Sequence, residues 1–131
     1  MRISIGADAA RLCALRTTPE LTRQLGDLVE QLVRSDDVLR SQDIDLAFWA
    51  AVVFGSQNIG YRLAYNGLAS TYRPLREVIV AVVEPELRNI AGHRRTVKAI
   101  ANGDAKGAER AARSLLESSS DHWAELLKAL E

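Results

Sequence analysis

Apolar residues recur along most of the chain at intervals of three and four. Leu21, Leu25, Leu28, Val29 and Leu32 form one such stripe, the spacing of a helix that buries one face. Nowhere do apolar and polar residues alternate as in a half-buried strand, and Ala, Leu, Arg and Glu are abundant, so the pattern predicts helices throughout. The punctuation divides the chain into about six of them. The first covers roughly Ile5–Arg16, with Ala9, Leu12, Cys13 and Arg16 on one stripe. Thr18 can cap a second helix that opens on Pro19 and runs to about Arg34. Ser35-Asp36-Asp37 is a polar break, and a third helix follows over about Ser41–Phe54. Gly55-Ser56-Gln57 closes it, and Asn58 can cap a long fourth helix from Ile59 to about Val82. Pro74 must kink or split that helix, because it has no N–H to donate. Glu84-Pro85 reads as the start of a fifth helix, ending at Asn102-Gly103. Asp104 then caps a sixth that runs to about Leu130. Short connections between amphipathic helices predict an all-α antiparallel bundle.

Length and charge narrow the class. The chain has 131 residues, which fits one domain, residues 1–131, with one core. Lys plus Arg and Asp plus Glu number 17 each. A general nucleic-acid binder needs a basic surplus to neutralise phosphates, so direct DNA binding by this segment is not expected. Cys13 is the single cysteine and reads as a small core residue. No basic start precedes a long apolar run, and Ala47–Phe54 and Val78–Val83 are too short to span a bilayer. The expectation is a cytoplasmic protein without a membrane partner.

Catalytic signatures are missing. The sequence holds no glycine-rich phosphate loop, CxxC, HExxH or GxSxG. His93 and His122 are the only histidines, which leaves few candidates for acid–base work. Glu20, Glu30, Glu77, Glu109 and Glu117 sit beside Arg or Lys and read as solvated helix faces. The chain is not expected to be an enzyme.

One constellation stands out. Asp45-Leu46-Ala47-Phe48-Trp49 is followed by Gly55-Ser56-Gln57-Asn58, and later by His93-Arg94-Arg95-Thr96-Val97-Lys98-Ala99-Ile100-Ala101-Asn102-Gly103-Asp104-Ala105 before an Ala-rich helix. With Ala9 to Glu20, this resembles the C-terminal effector domain of FadR-type GntR transcription regulators across nearly the whole chain. The resemblance implies six to seven helices around a central cavity, a homodimer, and a small-molecule effector that tunes an attached winged helix-turn-helix. DNA would be reached only through that winged helix, which is expected to lie outside this chain.

Many members of that family hold a divalent metal with Asp and His four apart, a His on a later helix and a fourth ligand 22 residues beyond. Here Asp45 and His93 match, but Trp49 and Leu115 occupy the other two positions. Two ligands beside an indole and an isobutyl group will not hold an ion tightly, so the pair reads as a remnant and no cofactor is expected. Asp45 and His93 are equally well explained as a structural hydrogen bond buried in the bundle. The indole makes the expected cavity more apolar, while Arg62, Tyr65, Asn66 and Arg73 fall near one stripe of the fourth helix, where an Arg could grip a carboxylate. The ligand-lining residues expected are therefore Asp45, Trp49, Arg62, Asn66, His93 and Leu115, for a small organic, carboxylate-bearing effector. The alternative reading is a helical interaction and dimerisation module with no ligand.

Overall fold

A computed structural model describes residues 2–131. Among them the helices are α1 (Arg2–Arg16), α2 (Pro19–Arg34), α3 (Val38–Gly55), α4 (Ile59–Tyr72), α5 (Arg76–Arg88), α6 (Ile90–Ala101), α7 (Ala105–Glu117) and α8 (Ser120–Ala129), with a 3₁₀ turn, Arg73–Leu75, between α4 and α5. The expected all-α bundle is thus present, with seven helices in the first 117 residues and a short eighth behind them.

Most helix starts follow the capping chemistry visible in the sequence. The side chains of Thr18, Asn58 and Asp104 accept the backbone N–H groups of Leu21, Tyr61 and Gly107, each satisfying a donor that the first turn leaves unpaired. Asp37 does the same for Leu39, so α3 begins at Val38, earlier than Ser41. α1 likewise starts at Arg2 and not Ile5.

Two boundaries differ more. Pro74 does split the expected fourth helix, but Pro85 opens nothing: α5 runs through it to Arg88. The ring removes the N–H that would have bonded the Ala81 carbonyl, and His122 Nδ1 lies 3.3 Å from that oxygen, while Ser119 Oγ accepts the neighbouring Glu86 N–H at 3.3 Å. Residues from the α7–α8 corner therefore attend to the backbone around the proline. The actual break is Asn89, whose side chain accepts from Gly92 N and donates to Ser118 Oγ. A second break at Ser118-Ser119 separates α7 from α8.

Small side chains set the core. Ala7, Ala9, Ala10, Cys13 and Ala14 of α1 are buried, as are Ala108 and Ala112 of α7, and the two helices pack along each other because short side chains permit a close axis separation. At Gly55 a Cβ would lie 2.3 Å from Leu21 Cδ2 and 2.7 Å from Cys13 Sγ, so glycine is what lets the end of α3 meet α1 and α2. A second cluster, Ile79, Val80, Val83 and Leu87, packs with Leu39, Tyr72 and Trp123. α4 is the exception: it buries no residue completely and packs chiefly on α3 and the 3₁₀ turn. No described helix is long and apolar enough to cross a membrane.

Candidate functional site

The bundle encloses a cavity of about 60 Å³ between α1, α3, α4 and α5. α3 supplies Asp45 and Trp49, one turn apart, so both side chains leave the same face of the helix. α4 covers them with Tyr65 and Tyr72, and α5 contributes Glu86. The wall is mostly apolar, and its charged side chains gather in one cluster.

That cluster starts at His93. Its Nδ1 lies 2.9 Å from the Asn89 carbonyl, which can only accept, so Nδ1 carries a proton and Nε2 faces Asp45 Oδ1 at 2.7 Å. The ring is fully buried and stands edge-on to Phe48, with centroids 5.0 Å apart. Burial lowers the His93 pKa, opposed by the Asn89 hydrogen bond and the charge of Glu86. Burial also raises Asp45, against hydrogen bonds from Glu86 and Trp49 and the charge of Arg2. Glu86 is held well above the ordinary carboxylate range, first by desolvation and then by the Asp45 charge and hydrogen bond beside it. It accepts from Trp49 Nε1 at 3.0 Å and pairs with Arg2. Gln42, only 4 % exposed, lines the cavity with an Oε1 that has no partner, and Arg2 Nη1 is likewise unpartnered.

The residues expected from the sequence divide into two groups. Asp45 and Trp49 line the cavity, and His93 sits behind Asp45 as its support. Leu115 is fully buried in the main core, and its neighbour Leu116 reaches the cavity instead. Arg62 stacks over the Phe54 ring at 5.1 Å and lines a separate surface groove with Arg16 and Leu21. Asn66 is exposed. The carboxylate anchor expected on α4 therefore does not converge on the cavity, because the face of α4 that turns inward carries Tyr65, Leu68, Ala69 and Tyr72.

Sequence reasoning missed Glu86, Arg2 and Gln42. Glu86 follows Pro85 and so reads as the exposed first turn of a new helix. Its spacing from Ile79, Val82 and Val83, at seven, four and three residues, places it on the buried stripe of a continuous one.

The family's metal does not fit these side chains. Trp49 presents an N–H already given to Glu86, Leu115 has no ligating atom, and among the described residues no group of three or more His, Cys, Asp or Glu can surround an ion.

Fold and site together define an all-α bundle that encloses a small cavity with a polar cluster in its wall. The family model for the FCD domain matches residues 1–118, and the chain belongs to that family. An uncharacterized HTH-type transcriptional regulator, Mb0601 of Mycobacterium bovis, and the HTH-type transcriptional regulator Mce2R of Mycobacterium tuberculosis are each 33 % identical to it over 108 residues. The aligned stretch is 82 % of this chain and 45 % of each relative, so the chain spans less than half the length of these curated relatives. The family is one of transcription-regulator domains and not an enzyme family.

Proposed function

We propose that residues 1–131 form a single effector-sensing and dimerisation domain of a cytoplasmic transcription regulator, acting on DNA through a winged-helix part joined to it. A small organic molecule occupies the cavity beside Asp45, Trp49 and Glu86, without a metal. The observation that carries this reading is the cavity itself: a hollow of about 60 Å³ in the bundle has a wall that includes a buried, unpartnered Gln42 Oε1. Unpaired buried polar atoms cost free energy, and a bound ligand offsets that cost.

α4 supplies the link to the dimer. Its inner face covers the cavity. On its other side Ile59 and Leu63, with Phe54 at the end of α3, are 72 %, 68 % and 61 % exposed, an apolar patch of the kind that a partner subunit covers. A ligand that changes how α4 seats on α3 then changes the dimer arrangement, and it shifts the population of DNA-competent states by its differential affinity for them.

The interaction-module reading has its own support, since His93, Asp45, Glu86, Trp49 and Arg2 already bond one another. Thermal unfolding with and without a small-molecule extract of bacterial cytoplasm separates the two. The effector reading predicts a higher melting temperature for the native chain and none for Ala69→Phe, which fills the cavity and whose helix content is checked by circular dichroism. Equal shifts in both proteins, or no shift in either, leave the module without a ligand.

A further inference from the structure

The cavity holds about 60 Å³, less than the hollow of about 150 Å³ that takes up a benzene ring. An organic occupant therefore has to move part of the wall aside, and the part that moves is the part tied down least. α3 and α5 each bury a set of apolar side chains in the core. α4 buries no residue completely, but its side chains hold it: Asn58 caps its first turn, Tyr61 donates to Asp8 Oδ2, and Tyr65 donates to the Leu46 carbonyl at 2.6 Å.

α8 has no such ties. None of its residues is buried, and only Trp123 and Leu126, one turn apart, are half-buried. Its first turn has no side-chain cap, because Ser119 Oγ accepts the Glu86 N–H instead. Among the described residues its one side-chain hydrogen bond runs from His122 Nδ1 to the Ala81 carbonyl, at 3.3 Å. Trp123 Nε1 is buried without a partner, a cost that ends when the indole turns to water. A helix with so few buried contacts opens at a lower free energy than the core it rests on.

What α8 backs is cavity wall. The Trp123 ring lies 5.8 Å from the ring of Tyr72, and the Arg2 guanidinium stands 5.9 Å from its centre. Ile79 and Val83 belong to the apolar cluster that Trp123 packs against. All four of these partners line the cavity from their other side. The pivot is at hand as well: Ser119 is fully buried and bonded to α5, so it stays in place when the helix beyond it leaves.

We propose that α8 is a latch on the cavity: it undocks about Ser119 while the rest of the bundle stays folded, and the freed wall at Arg2, Tyr72, Ile79 and Val83 gives a small organic molecule its way in. The latch takes its purpose from the reading of the cavity as a ligand site, but its motion is measurable without any effector.

The chain has two tryptophans, one on the latch and one, Trp49, in the cavity wall at 5 % exposure. In the full-length Trp123→Phe variant Trp49 is the only indole, and acrylamide quenching of its fluorescence reads access to the cavity. Two further full-length variants weaken the docking of α8: Trp123→Ser, and Leu126→Ser in the Trp123→Phe background. In both, the quenching constant is expected to rise at least threefold over Trp123→Phe, and amide exchange in α8 at least tenfold, while α1 and α7 keep their exchange protection. Quenching within 1.5-fold of Trp123→Phe in a variant whose α8 exchanges freely overturns the latch. So does a loss of α1 and α7 protection in both variants, which would make α8 an integral part of the bundle; if one variant alone loses it, the other decides. The melting-temperature shift with cytoplasmic extract is a separate result. Its absence beside the expected quenching would leave the latch standing and remove the effector reading, and its presence with unchanged quenching would do the reverse.

Discussion

Glu86 is a carboxyl group placed where water cannot reach it, and its neighbours fix the direction in which it titrates. Burial and the adjacent Asp45 raise its pKa above the ordinary 4.5, so folding favours its protonated form. Its contribution to stability is therefore complete below about 4.5 and is lost as the pH rises through the raised value. His93 acts from the other side: its pKa is lowered from 6.5 by burial, so its contribution is complete above 6.5 and is lost as the pH falls through the lowered value. Glu86→Gln keeps only one of the two oxygens that accept from Arg2 and Trp49, a loss that does not depend on pH, and removes the first titration. The urea midpoint of Glu86→Gln relative to the native chain should rise steadily between pH 5 and pH 8. A difference independent of pH over that range would show that Glu86 titrates normally.

Backbone geometry decides the elements as much as the apolar stripes do. Gly103, after α6, has φ of +68°, a left-handed conformation in which a Cβ crowds the following carbonyl. Gly103→Ala should lower stability by about 1 kcal/mol, read from chemical denaturation; an unchanged midpoint would mean that this turn adopts another conformation. The helix-stop signal at Asn102-Gly103 was legible because it depends on residue type alone. So were the caps at Thr18, Asn58 and Asp104, and the buried stripe of α2. What could not be read locally was anything supplied from a distant part of the chain. Pro85 stays inside α5 because residues some 35 positions later serve the backbone around it, and nothing near the proline announces them. The site divides in the same way. Asp45 and His93 were visible as a motif. Glu86 was hidden by the false helix start, and Arg2 by its distance in sequence from everything it touches. Arg62 and Asn66 share α4 with Tyr65, but a helix with no fully buried residue gives no strong stripe to say which of its faces turns inward.

At the scale of the whole molecule, a tightly packed half and a looser half meet at the cavity. α1, α6 and α7 form a close-packed block, a base in which Cys13 is buried deeply enough for its thiol pKa to rise to about 11. α4 lies on α3 and the 3₁₀ turn beside this base, covering the cavity, with an exposed apolar outer patch. Such a division lets an occupant of the cavity act on the cover while the base stays fixed, which is what coupling between a ligand site and a subunit interface requires. The central claim is that the occupant is an organic molecule and not the metal that the family's four-ligand pattern would hold. Native mass spectrometry of the chain, incubated with cytoplasmic extract and separately with zinc, weighs both candidates directly. The account predicts a reproducible small organic adduct, one per subunit, and no stoichiometric zinc. One zinc per subunit with no organic adduct would contradict it, and would mean that Asp45 and His93 recruit ligands from beyond Trp49 and Leu115.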